Sequence, residues 1–127
     1  MEEVTMKETG NVIEVNKLDK TIYTQEVRRL IKEQNPDWVI ASGESATACI
    51  SLHRQKKILV NPTVTTDDLN NVPEYARHNT YGFFGALPEQ EKNYELFQSV
   101  YPNVAWYGNK PDLRLDDIKN IVMDIVN

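Results

Sequence analysis

Five short segments of strand length alternate with helical segments along most of this chain. The strand segments lie at residues 11–18, 38–42, 57–60, 81–85 and 103–108. Helices are predicted at residues 21–36, 46–53, 89–100 and 115–126, whereas 65–80 is predicted as a loop with one helical turn. This alternation is typical of a mainly parallel sheet with helical crossovers. The predicted fold class is therefore α/β, in two or three layers, with about five strands.

Size and charge limit the functions that such a domain can have. The chain has 127 residues, which fits one domain: a flexible lead-in at 1–10 and a single α/β domain at 11–127. Its net charge of −5 argues against nucleic acid or an anionic membrane as the main partner. The nearest approach to a basic patch is on the first helix, at Arg28, Arg29 and Lys32, and we interpret it as solvated surface.

The cysteine content and the terminal segment favour a cytoplasmic protein. Cys49 is the single cysteine, so no internal disulfide is possible, and a reducing compartment fits best. No apolar run approaches the roughly 20 residues that a membrane-spanning helix needs. The first ten residues are acidic and polar, unlike a secretory signal.

A serine follows the most apolar strand at the point where the next helix begins. The sequence VIASGESATACIS runs from a buried strand through Gly43 and Ser45 into small residues. A nucleophile elbow needs this order, with small residues two positions before and after the serine. Gly43 satisfies the first position, and Thr47 occupies the second. Ser45 is therefore either a candidate nucleophile or a serine that caps the helix.

The segments after each strand should meet at one edge of the sheet. In parallel α/β sheets, ligands bind beyond the carboxyl ends of the strands. Four segments follow strands in this chain, and we call the edge that they share the carboxyl rim: residues 43–47, 61–66, 85–89 and 108–112. A small-molecule ligand is expected here, with Gly43, Asn61, Gly85 and Gly108 as binding residues.

The stretch WVIASGESATACISL, followed by the strand ending Val60-Asn61-Pro62, resembles the small bacterial serine esterases of the YqiA-like α/β-hydrolase group. The likeness extends from about Val12 to the end of the chain. It implies that Ser45 falls on the nucleophile and that the Ala46 N–H is an oxyanion donor. The family's acid follows the fourth strand, where this chain has Gly85-Ala86. The family's histidine follows the fifth strand, where this chain has Lys110.

The resemblance thus leaves Ser45 without its expected acid and base. A serine hydroxyl needs a neighbouring base to take its proton, and a protonated lysine cannot accept one. Loss of triad members costs about 10⁴ to 10⁶ in rate. Two substitutes are considered: Lys110 with Asp112 as its orienting group, and His78 folded back over the carboxyl rim. His53, eight residues after Ser45 on a predicted helix, is too distant to serve.

A missing strand gives the resemblance a second consequence. In the family, a first strand ending in His-Gly supplies the second oxyanion donor and lies beside the nucleophile strand; this chain begins after that point. Its strand at 11–18 should then pair directly with Trp38–Ser42. All crossover helices would lie on one face of the sheet, and the last helix alone on the other. The uncovered face predicts a homodimer or a protein partner.

The sequence therefore predicts a degenerate, truncated α/β-hydrolase-like protein that acts as a catalytically inactive binding or assembly module. One alternative is a serine esterase that uses Ser45 with a non-standard base. The other is an α/β regulatory domain that binds an anion or another small molecule. No spacing of ligand residues indicates a metal site, and no cofactor is predicted.

Overall fold

A computed structural model describes residues 3–7, 12–16 and 23–126 of the chain. Strands and helices alternate after an initial hairpin-like pair of strands. The strands are β1 (Glu3–Lys7), β2 (Val12–Asn16), β3 (Trp38–Ser42), β4 (Lys56–Val60), β5 (Thr80–Gly85) and β6 (Val104–Tyr107). The helices are α1 (Tyr23–Gln34), α2 (Glu44–Cys49), α3 (Glu74–His78), α4 (Pro88–Gln98) and α5 (Lys119–Val126), with 3₁₀ turns at Asp67–Leu69 and Leu115–Ile118.

The six strands form one sheet in the order of the chain, β1 to β6. β1 pairs antiparallel with β2, and the four pairings from β2 to β6 are all parallel. Sequential parallel strands require crossovers of one hand, which bring successive helices to the same face. The α/β class predicted from the alternation of segments is confirmed.

Apolar residues on both sides of the central strands make two separate cores. Val39, Ala41, Leu59 and Phe84 pack on one face against residues of α2, α3 and α4, with Ile31 of α1 at the margin. Ile40, Ile58, Val60 and Phe83 pack on the other face against Ile118 and Val122 near the end of the chain. The crossover helices thus share one face and α5 lies on the other, so of the two predicted architectures, with two or three layers, the one with three is observed.

Direct pairing of the first predicted strand with Trp38–Ser42 is also observed. Residues Val12 and Val15 of β2 lie opposite Trp38 and Ala41 of β3 in a parallel register. β3 itself is buried on both faces, because alternate residues enter the two cores. An apolar run such as WVIAS is stable only in this central environment.

Three sequence predictions need correction. Residues 1–10 are not only a lead-in, because Glu3–Lys7 form β1 at the edge of the sheet, which raises the strand count above five. α2 begins at Glu44 and ends at Cys49, since Gly43 turns the chain earlier than the apolar pattern indicates. The segment 65–80 holds a 3₁₀ turn and α3, because Pro73 is favourable just before a helix.

Candidate functional site

The bend between β3 and α2 is made by Gly43, which has φ 62° and ψ −130°. This region of backbone conformation is costly for residues with a side chain. The Gly43 N–H donates to the Val60 carbonyl at 2.9 Å, and its own carbonyl accepts from the Thr47 N–H at 3.1 Å. The Thr47 hydroxyl in turn accepts from the Thr63 N–H at 2.9 Å. The turn is therefore fixed to the loop that follows β4.

Ser45 lies two residues beyond this bend, within the first turn of α2. An elbow nucleophile sits on the strained turn itself, so that its hydroxyl is exposed above the sheet. Here a glycine occupies the strained position, and Ser45 is 2% exposed. Gly43 is also the N-cap residue, so Ser45 does not cap the helix. Within the described residues, no imidazole, amine or carboxylate is bonded to the Ser45 hydroxyl.

Ala46, the predicted oxyanion donor, follows Ser45 in the same helix. Its methyl group is fully buried and belongs to the core between the sheet and the crossover helices. An oxyanion hole requires donors aimed at a space that a substrate can enter. The position of Ala46 inside a packed helix therefore gives its side chain a structural role.

Lys110 and Asp112 follow β6, as predicted, but each pairs with a neighbouring charge. The Lys110 ammonium lies 3.8 Å from a carboxylate oxygen of Asp117, and the Lys110 side chain is half exposed. The Asp112 carboxylate lies 3.8 Å from the Arg114 guanidinium and is almost fully exposed. A lysine base must be desolvated to lose its proton. Lys110 is half exposed and lies beside a carboxylate, so it is not desolvated.

The prediction that His78 folds over the carboxyl rim is wrong. His78 is the last residue of α3, two positions before β5 begins, so it lies at the amino end of that strand. Its imidazole is 66% exposed and lies 3.9 Å from the Glu74 carboxylate on the same helix. Because β5 begins two residues after His78, the chain places His78 at the amino edge of the sheet, opposite the edge at which Ser45 follows β3.

Asn61 holds three parts of the carboxyl rim together. Its side-chain amide donates to the Leu113 carbonyl at 3.0 Å, and its side-chain oxygen accepts from the Gly85 N–H at 2.8 Å. Its backbone has φ 52°, a left-handed conformation that asparagine tolerates better than most residues. The Asn-Pro ending of β4 thus connects β4, β5 and the segment after β6. We call this arrangement the Asn61 clamp.

Gly85 and Gly108 occupy the rim for different reasons. A Cβ atom on Gly85 would lie 2.7 Å from the Lys110 carbonyl oxygen and 2.9 Å from the Leu113 Cβ. Glycine is therefore needed there so that the segment after β6 can pack closely against the end of β5. A Cβ atom on Gly108 would meet only the Trp106 indole at 3.5 Å, an ordinary contact.

The structure contains a buried amine that the sequence analysis did not identify. Lys57 is fully buried, and its ammonium donates to the Leu52 carbonyl at 2.9 Å and to the Gln55 carbonyl at 3.2 Å. Burial lowers the pKa of Lys57 to about 8, against a small opposing effect of Cys49. Burial also raises the pKa of the Cys49 thiol to about 12. These groups lie at the amino edge of the sheet, away from Ser45.

Lys57 should make the stability of the fold depend on pH. Between pH 8 and 9, Lys57 keeps its proton in the unfolded chain, where its pKa is 10.5, but loses it in the folded chain, where it is about 8. The unfolded state then binds more protons, so the free energy of unfolding should rise with pH, by about 1 kcal/mol over this interval. Urea unfolding at several pH values measures the slope.

Two variants assign this pH dependence to its source. Lys57→Met should abolish the rise between pH 8 and 9. The Cys49 thiol acts in the opposite direction from about pH 8 upward, because its pKa is 9.0 in the unfolded chain and about 12 in the folded chain. Cys49→Ala should therefore extend the rise beyond pH 9. A flat wild-type profile between pH 8 and 9 would contradict the burial of a charged amine at this position.

Comparison with family models, curated proteins and solved structures found no match for this chain. No helix in the described residues is long and apolar enough to cross a membrane. Among residues 3–7, 12–16 and 23–126, no group of three or more His, Cys, Asp or Glu side chains is arranged to hold a metal ion.

Proposed function

We propose that this chain is a non-hydrolytic, α/β-hydrolase-like domain that assembles with a second copy of itself. The observation that carries the proposal is the environment of Ser45: it is 2% exposed, lies inside a helix, and has glycine in the strained position that an elbow serine would occupy. A buried hydroxyl without a base is a poor nucleophile. The Asn61 clamp and the close packing at Gly85 further reduce the space at the carboxyl rim.

The sheet face that carries α5 supports the assembly part of the proposal. A groove of about 380 Å³ lies between α5 and the last two strands, and Tyr81, Phe83, Ala105, Ile121 and Ile125 line it. Ile121 is 42% exposed although it is a large apolar residue. Exposed apolar grooves of this kind commonly mark interaction surfaces. We call it the α5 groove.

The edge strand beside this groove favours a second copy as the occupant. β6 ends the sheet, and its residues Val104–Tyr107 include no charge and no proline. Soluble proteins usually protect edge strands with charged residues or proline, because an unprotected edge pairs readily with another strand. A two-fold axis at this edge would pair β6 with itself and bring two α5 grooves together.

Light scattering tests the assembly. At chain concentrations of about 10 to 100 µM the protein should have twice the mass of one chain, because a homodimer interface of standard size gives at least micromolar affinity. Ile121→Asp should shift the protein to monomers, since it would bury a carboxylate in the α5 groove. Met123→Asp is the matched control: Met123 is exposed on the same helix but does not line the groove.

Two results would contradict the proposal separately. A wild-type protein that stays monomeric throughout this range excludes the homodimer. Covalent labelling by a fluorophosphonate probe that disappears in Ser45→Ala would instead demonstrate a reactive serine and support the esterase alternative.

A further inference from the structure

A cavity of about 490 Å³ opens on the face of the sheet that carries the crossover helices. α1 contributes Arg28 and Lys32, the segment that joins α2 to β4 contributes His53 and Arg54, and α3 contributes Tyr75. The volume lies within the range of about 300 to 1,000 Å³ that is usual for small-molecule sites. We call it the basic cavity.

The charge of this cavity is opposite to that of the whole chain. The chain has a net charge of −5, but the lining includes two arginines, one lysine and one histidine, and among the described residues that line it there is no aspartate or glutamate. In the part of the chain that the structure describes, Arg28, Lys32 and Arg54 form no ion pair with a carboxylate. Three neighbouring cations without partners repel one another, and an anion between them would remove that repulsion.

Lys57 adds to the positive potential of the cavity, and it also affects the protonation of His53. Partial burial lowers the pKa of His53, and the positive charge of nearby Lys57 lowers it further. The ammonium of Lys57 is held beneath the cavity floor by the carbonyls of Leu52 and Gln55, two residues that also line the cavity. A protonated imidazole is therefore disfavoured in the empty cavity, and a bound anion would favour it.

The cavity also offers apolar contacts. Tyr75 is 53% exposed at its rim, and Ile31 and Leu52 form part of its wall. A tyrosine with this exposure can stack on a planar ring, whereas guanidinium groups bind phosphate oxygens in pairs. A ligand that has both a planar ring and a phosphate group would make both the stacking contact and the guanidinium contacts.

We propose that the basic cavity binds a small phosphorylated molecule that carries an aromatic ring. Arg28, Lys32 and Arg54 hold the phosphate oxygens, and Tyr75 contacts the ring. This site goes beyond the proposed assembly: it lies on the other face of the sheet from the α5 groove and involves none of the same residues. It also revises the interpretation of Arg28 and Lys32 as plain solvated surface.

Calorimetry on the full chain tests the site with ADP, pyrophosphate and adenosine as probes. ADP should bind more tightly than pyrophosphate, and adenosine should not bind measurably, because the phosphates provide most of the attraction. Arg28→Gln and Arg54→Gln should each weaken ADP binding about tenfold. Tyr75→Leu should weaken binding of ADP but not of pyrophosphate.

Arg29→Gln is the matched control for the arginine variants. Arg29 is the neighbour of Arg28 on α1, does not line the cavity, and forms an ion pair with Glu33 at 2.6 Å. Its loss changes the net charge by the same amount, so ADP affinity should stay as in the wild type. An equal loss in Arg28→Gln and Arg29→Gln would mean that total charge, not the cavity, attracts the ligand.

NMR of the two histidines provides a readout that is independent of affinity. Saturating ADP should raise the pKa of His53, whereas the NMR signals of His78, which lies outside the cavity beside Glu74, should not change on addition of ADP. Absence of both heat and a His53 change with ADP would overturn the proposal. So would binding of a single-stranded oligonucleotide with no binding of ADP or pyrophosphate, because it would identify an extended nucleic-acid surface.

Discussion

Replacement of Asn61 by alanine is expected to lower the free energy of unfolding by about 2 to 4 kcal/mol. The side chain makes hydrogen bonds at 3.0 Å and 2.8 Å to the segment after β6 and to the end of β5. Alanine leaves the Gly85 N–H and the Leu113 carbonyl without these partners, and it tolerates the left-handed φ of 52° less well than asparagine. Urea denaturation monitored by tryptophan fluorescence measures the change.

Two further variants separate the contributions of Asn61. Asn61→Gly removes both hydrogen bonds but keeps the left-handed backbone unstrained, so it should cost about 1 kcal/mol less than alanine. Asn61→Asp keeps an acceptor for the Gly85 N–H but turns a carboxylate oxygen toward the Leu113 carbonyl, so it should also destabilise the fold. If alanine and glycine both change stability by less than about 0.5 kcal/mol, the clamp contributes nothing beyond an ordinary surface residue.

The parts of the fold that the sequence predicted well depend on local patterns. The bounds of β3 are those of the apolar run WVIAS, and α1 follows the helical spacing that ends near Pro36. β1 was missed because its residues Glu3–Lys7 alternate charged or polar with apolar side chains and do not form the apolar run that marks a central strand. His78 was misplaced because it directly precedes β5, and a residue just before a parallel strand lies at the amino edge of the sheet and not at the carboxyl rim.

The buried lysine shows a signal that could have been used. In a strand buried on both faces, every residue faces a core, so Lys57 in the segment KKILV had to point inward with Leu59. The basic cavity offered no such signal. Its cations come from α1 and from the segment before β4, which are separated by about twenty residues in the sequence and meet only through the crossover.

The two edges of the sheet thus have different chemical characters. At the carboxyl rim, residues that the sequence analysis assigned to ligand binding connect protein segments: Asn61 is hydrogen-bonded at both ends and Gly85 is in close contact with Lys110 and Leu113. On the face of the crossover helices, Arg28 and Arg54 line an open space and form no ion pair within the described part of the chain. Binding requires groups whose interactions are not already satisfied. This contrast is the reason to seek a ligand at the basic cavity.

Gly85→Ala is expected to destabilise the fold by about 3 kcal/mol, because the new methyl group has no room. Its Cβ would lie 2.7 Å from the Lys110 carbonyl oxygen, and a backbone atom moves only if the whole segment moves. Gly108→Ala is the matched control, since its Cβ would meet nothing closer than 3.5 Å, and it should change stability by less than about 0.5 kcal/mol.

A double variant tests whether the Asn61 clamp is what keeps the segment after β6 close to Gly85. The Asn61 clamp holds Leu113 against β5, so it also prevents the segment after β6 from moving away from a methyl group at position 85. In an Asn61→Gly background that segment is free to shift, and Gly85→Ala should then cost about 1 kcal/mol less than it does alone. Strict additivity of the two changes would mean that the segment is held in place by other contacts, and that the clamp does not connect the strand ends.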